Sequence, residues 1–130
     1  MEPPSSFKSR GGLKRIAAAT CYSLKGLRAA WRQEASFRQE VIIGLALVPV
    51  AWWLAPTPLK ALALVGAIVF VWMMELVNSA IEALADAVTL ERHPLIGRAK
   101  DIGSAVVLLA LVLAAGVWLT VLWPVVTDQP

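Results

Sequence analysis

The run ALALVGAIVFVWMMELVNSAIEALAD, residues 61–86, decides the fold of this chain because it is long, apolar and yet acidic toward one end. Residues 61–74 carry no charge, and polar side chains appear from Glu75 onward. At about 100° per residue they fall within about 100° of arc on one helix face. This acidic face consists of Glu75, Asn78, Ser79, Glu82 and Asp86. Because a carboxylate at membrane depth costs several kcal/mol unless paired, protonated or hydrated, the face indicates a functional site.

Composition and hydropathy favour a membrane protein with three spans. Hydrophobic residues make up 58% of the 130 residues and charged residues 16%, which exceeds what one soluble core requires. Apolar runs cover residues 41–55, 59–88 and 102–126, with Pro56 and Pro58 in the first connection and residues 91–98 in the second. The first run measures only about 22 Å, whereas a hydrocarbon core is roughly 30 Å thick, so its helix must begin earlier. We therefore predict transmembrane helices at about 35–55, 59–88 and 100–126.

An amphipathic surface helix is predicted at residues 13–34, after a flexible tail at residues 1–12 rich in Pro, Ser and Gly. One nonpolar stripe runs along the helix, and Lys14, Lys25, Arg28 and Arg32 flank it. The stripe comprises Leu13, Ile16, Ala17, Thr20, Leu24, Leu27 and Trp31. This layout is typical of a helix in an anionic membrane surface, and a soluble amphipathic helix against a core is the alternative.

The distribution of positive charge predicts the orientation. Most of the twelve Lys and Arg residues precede residue 39, and most of the others lie in residues 92–100. The positive-inside rule then places the amino terminus in the cytoplasm and, after three crossings, the carboxyl terminus outside. The single cysteine, Cys21, excludes an intrachain disulfide and a zinc ribbon.

The acids of the second span are spaced for different tasks. Glu75 and Glu82 share a face but stand about 10 Å apart along the axis. The deeper Glu75 is a candidate general base, while Glu82 and Asp86 are candidate ligands of a divalent cation. The alternative is a buried polar network that only holds helices together.

Two further clusters extend this site. The first, in residues 34–40, contains Glu34, Arg38 and Glu40, and an i,i+4 ion pair of Glu34 with Arg38 is its simpler interpretation. The second runs from His93 to Ser104. There Arg98 and Lys100 also fit the positive-inside rule, Asp101 also fits a helix cap, and a loop histidine is favoured over a metal ligand. The three clusters together supply cations, Mg²⁺ ligands and a base, as phosphoryl transfer requires. The chain contains no Walker A or kinase Gly-rich loop, so an ATP site must be built from helix ends.

Four motifs in order resemble the small prokaryotic diacylglycerol kinase family, integral membrane enzymes unrelated to soluble kinases. They are YSLKGLRAAW at 22–31, EASFRQE at 34–40, ELVNSAIE at 75–82 and GRAKDIGSA at 97–105. The resemblance covers nearly everything after the tail and implies an all-α membrane fold: a surface helix and three transmembrane helices. It also implies a homotrimer with active sites between subunits, in a bacterial cytoplasmic (inner) membrane.

The resemblance also implies roles for individual residues. Glu75 matches the family's catalytic base, which takes the proton from the lipid hydroxyl, and Glu34 and Glu82 match the carboxylates that bind Mg²⁺. With those two carboxylates, the positions that match the ATP contacts are Arg15, Tyr22, Glu91, Arg92, His93, Lys100 and Asp101. The positions that match lipid contacts are Arg15, Glu40, Trp53, Glu75, Asn78 and Ser104. The chain departs from better-known members at Thr20, Cys21, Leu24 and Pro94.

The expected reaction is phosphorylation of diacylglycerol by MgATP, with no nucleic-acid partner. Undecaprenol is the alternative acceptor, since a related branch of the family phosphorylates it. Outside this reaction class, an intramembrane Glu also fits a small proton-coupled transporter, and a purely structural membrane subunit is the third alternative.

Overall fold

Residues 12–127, the part of the chain that this computed structural model describes, form four α-helices and no strand. The helices are α1 (Gly12–Gln33), α2 (Ala35–Leu54), α3 (Pro58–Val88) and α4 (Pro94–Thr127). The all-α fold is therefore confirmed. The tail predicted at residues 1–12 lies outside the described residues except for Gly12, which begins α1.

Three of these helices, α2, α3 and α4, are long and apolar enough to cross a membrane. The 20 residues of α2 extend about 30 Å, which matches a hydrocarbon core. The helix begins at Ala35, where the shortness of the apolar run requires it to begin. Together with the composition, these three helices identify an integral membrane protein.

The two connections between the spans are short, and a capping side chain marks the start of the helix that follows each of them. Thr57 precedes α3, and its hydroxyl accepts the backbone N–H of Lys60 at 3.2 Å. Before α4, Nδ1 of His93 accepts the backbone N–H of Leu95 at 3.2 Å, and Pro94 takes the first helical position. The second connection is consequently residues 89–93 rather than 91–98, and α4 begins six residues before position 100.

The central helix is α3, which packs against both α2 and α4. Two tryptophans on different helices hydrogen-bond to backbone oxygens across these contacts. Trp72 of α3 donates from Nε1 to the carbonyl of Glu40 in α2 at 2.9 Å, and Trp118 of α4 donates to the carbonyl of Leu64 in α3 at 3.2 Å. Such bonds fix the register of neighbouring helices because an indole N–H left unpaired in an apolar bundle is unfavourable.

The outer surface of the bundle is apolar. Only Gly103 and Ala110 of α4 are buried, and the nonpolar stripe of α1 is exposed, with Leu13 at 85%. Within α1, Ala30 alone is buried. A stripe that packs against no protein core supports the interfacial interpretation of α1 over a soluble amphipathic helix.

Gly44 provides a test of the α2–α3 contact. A Cβ at this position would lie 2.5 Å from Cζ2 of Trp72 and 2.6 Å from Cγ2 of Ile68. We expect Gly44→Ala to lower the free energy of unfolding by about 1–3 kcal/mol through overpacking. Gly66→Ala is the control, because no atom lies within 4 Å of its added Cβ. Thermal unfolding of both variants in detergent measures the difference, and equal midpoints would contradict this packing.

Candidate active site

The acidic face of α3 points partly into the bundle. Glu75 is only 4% exposed, and Asn78 and Ser79 beside it are also buried. Further along the helix, Glu82 is half-buried and Asp86 is exposed. The face therefore runs from the protein interior at Glu75 to the surface at Asp86.

Glu40 of α2 lies close to Glu75, and the two carboxylates repel each other. The hydrogen bond from Trp72 to the Glu40 carbonyl brings them together, since Trp72 is one turn before Glu75 on α3. Oxygen Oε2 of Glu40 is buried without a hydrogen-bond partner. Two acids from different helices thus share a confined space, an arrangement that is costly unless one oxygen takes up a proton or meets a ligand.

Asn78 lies between Glu75 and Glu82 on the acidic face and hydrogen-bonds to Glu82. Its Nδ2 donates to Oε1 of Glu82 at 3.0 Å, while its Oδ1 is buried and unpartnered. Gly103 of α4 packs directly against Oδ1 of Asn78, where a larger residue would collide. Gly103 was not among the site residues predicted from the sequence, although it lies within the GRAKDIGSA motif.

A cleft of about 520 Å³ separates α1 from α3. Its lining is mostly apolar, with Leu27 and Ala83 among its walls, and its polar members are Ser23, Gln33, Glu34 and Ser79. The hydroxyl of Ser79 is buried without a partner. This cleft accordingly presents the Glu34 carboxylate and mostly apolar walls, which suit a ligand with apolar parts.

Arg38 does not form the simple ion pair with Glu34 that the i,i+4 spacing allowed. Its Nη1 instead donates to the carbonyls of Trp31 and Arg32 at 3.0 and 3.2 Å. These are end carbonyls of α1, which lack partners within the helix. Arg38 therefore caps α1, and the Glu34 carboxylate stays available to the cleft.

A second cleft, of about 440 Å³, lies at the connection between α3 and α4. Nζ of Lys100 contacts Oδ1 of Asp86 at 2.6 Å, the one ion pair found in the described residues. Asp86, a candidate metal ligand from sequence, is thus paired with a lysine. The other lining residues with charged or titratable side chains are Glu91, Arg92 and His93.

The remaining predicted site residues lie apart from these groups. On α1, Arg15 and Tyr22 are exposed and line neither cleft. Trp53 is 82% exposed and lies about 20 Å along α2 from Glu40. Asp101 and Ser104 are exposed on α4, and Asp101 lies inside that helix rather than capping its start.

Glu34, which lines the cleft between α1 and α3, and Glu82, on the acidic face of α3, each offer carboxylate oxygens of the kind that bind magnesium. No group of three or more His, Cys, Asp or Glu side chains within residues 12–127 is placed to hold a metal. Mg²⁺ typically takes one or two carboxylates together with water and substrate phosphates, so such a set fits a nucleotide-borne ion.

Comparisons with known proteins match most of the chain. The sequence model of a family described as prokaryotic diacylglycerol kinase matches residues 21–122. A diacylglycerol kinase of Pseudomonas aeruginosa is 47% identical over 119 residues, covering 92% of this chain and 97% of that protein. Diacylglycerol kinases of Escherichia coli K12 and Helicobacter pylori 26695 are 46% and 38% identical over 112 and 107 residues. These alignments cover 86% and 82% of this chain, and 92% and 84% of the two relatives.

The role of His93 as the N-terminal cap of α4 is tested by unfolding, without any ligand. We expect His93→Ala to lower the free energy of unfolding by about 1 kcal/mol, because the N–H of Leu95 loses its acceptor. His93→Asn, which keeps a capping side chain, should restore the unfolding midpoint measured by circular dichroism. If Ala and Asn at this position unfold at the same temperature as the unaltered protein, the cap is not a stabilising contact.

Proposed function

The chain belongs to the prokaryotic diacylglycerol kinase family, and we propose that it phosphorylates diacylglycerol with MgATP at the cytoplasmic face of the membrane. The relatives that align with most of this chain are diacylglycerol kinases, and the chain is therefore a lipid kinase. The observation that carries the site assignment is Glu75, a buried carboxylate beside a second one at Glu40. The product is phosphatidic acid.

Glu75 acts as the general base in this proposal. The primary hydroxyl oxygen of diacylglycerol attacks the γ-phosphorus, and the bond from that phosphorus to the bridging oxygen of ATP breaks, so that ADP leaves. The hydroxyl proton passes to a carboxylate oxygen of Glu75. Burial suits this role, because a carboxylate screened from water meets the lipid hydroxyl rather than bulk solvent.

Glu34 and Glu82 would hold the magnesium ion in this proposal, and Asn78 would orient Glu82. The hydrogen bond from Nδ2 of Asn78 to Oε1 of Glu82 supports that orienting role. When bound, Mg²⁺ neutralises charge on the phosphates and favours phosphoryl transfer.

Positive side chains complete the nucleotide site. Lys100 lines the cleft at residues 89–93 together with Arg92, and in this proposal both compensate phosphate charge. Arg15, Tyr22, Glu91, His93 and Asp101 remain proposed ATP contacts from the family resemblance.

The lipid enters sideways from the bilayer in this proposal. Glu40, Asn78 and Ser104 lie near the level of Glu75, where the glycerol part would react. Trp53 lies about 20 Å away along α2, a distance at which it would contact an acyl chain rather than the reacting hydroxyl. Diacylglycerol has both parts, since its hydroxyl and its acyl chains lie at opposite ends of the molecule.

We also propose that the protein forms a homotrimer with active sites between subunits. The trimer lies in the bacterial inner membrane, with each amino terminus in the cytoplasm. Within one chain, Arg15 and Tyr22 line neither of the clefts that hold Glu34 and Lys100. In a trimer, Arg15 and Tyr22 of a neighbouring subunit would complete the ATP site. The cluster of positive residues before residue 39 supports the orientation.

One assay tests the reaction and its acceptor. The purified protein is reconstituted in bilayers with equal amounts of diacylglycerol and undecaprenol, and γ-labelled ATP is added with Mg²⁺. We expect label in phosphatidic acid. Label in undecaprenyl phosphate alone would make undecaprenol the acceptor, and absence of ATP-dependent lipid labelling would favour a transporter or a structural subunit.

Replacing Glu75 tests the proposed base. Glu75→Gln keeps the size of the side chain but removes its ability to take a proton, so we expect turnover to fall by at least about 100-fold. Circular dichroism and elution on size-exclusion chromatography should match the unaltered protein. A variant that folds and retains substantial turnover would contradict the assignment.

The metal ligands are tested by titration with magnesium. Glu34→Ala and Glu82→Ala each remove one carboxylate, so half-maximal activity should require about tenfold more Mg²⁺. Glu2→Ala, which lies outside the described residues, is the control and should leave the titration unchanged. Unchanged curves for both Glu34→Ala and Glu82→Ala would refute their role.

A further inference from the structure

The ion pair of Asp86 with Lys100 joins α3 to α4 at the rim of the cleft formed by residues 89–93. Its Nζ to Oδ1 distance of 2.6 Å is that of a strong charge-assisted hydrogen bond. The side chains of Lys100 and Asp86 are 38% and 52% exposed, so both remain accessible to a ligand in the cleft.

Lys100 needs such a partner if it is to act at a defined place. A lysine side chain is a flexible stem that ends in a point charge, and an unpaired lysine on a cleft wall samples many rotamers. The ammonium group carries three hydrogens. Asp86 accepts one of them in the structure, which leaves two for other acceptors.

The pair lies at the cleft proposed to receive the phosphates and close to the proposed metal ligand Glu82. Asp86 and Glu82 lie one turn apart on the acidic face, about 6 Å along the axis. The charge of Glu82 also acts on Lys100, although the ion pair itself is made with Asp86. The ammonium group thus lies on the same side of α3 as the proposed metal ligand.

We propose that Asp86 is a positioning residue that holds the ammonium group of Lys100 ready for the phosphates of the nucleotide, an inference that rests on the proposed use of MgATP. Asp86 binds neither the metal nor the nucleotide in this arrangement. It acts through Lys100, by lowering the loss of side-chain freedom when ATP binds.

A merely structural tie between α3 and α4 is the competing explanation. Other contacts already join these helices: the Trp118 bond to Leu64 and the packing of Gly103 against Asn78. An exposed ion pair adds little to stability beside such contacts. Its removal should consequently affect nucleotide binding more than folding.

The first measurement is the KM for ATP at saturating diacylglycerol. Asp86→Asn keeps the shape of the side chain and removes its charge, and we expect the KM to rise about threefold to fivefold with kcat nearly unchanged. Asp86→Glu retains a carboxylate and should recover part of this loss. The thermal unfolding midpoint of Asp86→Asn should equal that of the unaltered protein. A lowered midpoint with an unchanged KM would identify a structural tie and overturn the proposal.

A double-mutant cycle with Lys100→Met provides the decisive comparison. Lys100→Met should raise the KM for ATP about tenfold or more, and adding Asp86→Asn should then have no further effect, because no ammonium group remains to be positioned. Lys60→Met, at the other end of α3, is the control for loss of an exposed lysine and should leave the KM unchanged.

The possible outcomes distinguish the phosphate contact of Lys100 from the positioning role of Asp86. If Lys100→Met leaves the KM unchanged, the proposed phosphate contact of Lys100 fails and the role of Asp86 fails with it. If Lys100→Met raises the KM and Asp86→Asn does not, the proposed nucleotide site stands and the positioning role is wrong. Additive effects of the two substitutions would also overturn it.

Discussion

The enclosure of carboxylates within apolar helices is the constraint on which the rest of the structure depends. Glu75 is buried near the middle of the chain's most distinctive helix, and Glu40 lies against it from α2. Placing two carboxyl groups in an apolar bundle costs free energy, and hydrophobic packing has to offset that cost. The bundle therefore accommodates acids that cost stability, and a role in the reaction explains why the protein keeps them.

Close packing on both sides of α3 forms that enclosure. Gly44 lets the Trp72 ring lie against α2, and Gly103 lets α4 approach Asn78. The Trp72 and Trp118 hydrogen bonds then fix the two neighbouring helices in register with α3. As a result the site is most closed at Glu75 and most open at Asp86, which suits a reaction between a membrane-embedded alcohol and a charged nucleotide.

Hydropathy was sufficient to predict the three apolar helices, and periodicity to predict the acidic face, because residues spaced at one helical turn share a face. The capping role of His93, the two carbonyls bound by Arg38 and the pairing of Asp86 with Lys100 were not predictable in this way. Each depends on where separate helices end and how they meet, whereas the sequence shows only which residues lie close along the chain. The positive-inside rule explains Lys100 equally well without any partner, so its pairing left no distinctive pattern.

If Glu75 is retained for chemistry at a cost to stability, the unfolding midpoint of Glu75→Leu in detergent will reveal that cost. Replacing the buried carboxyl group with an apolar side chain of similar volume should leave the free energy of unfolding unchanged or raise it, by up to about 4 kcal/mol. A decrease of several kcal/mol would be the opposite result. It would show that Glu75 belongs to a polar network that holds the helices together.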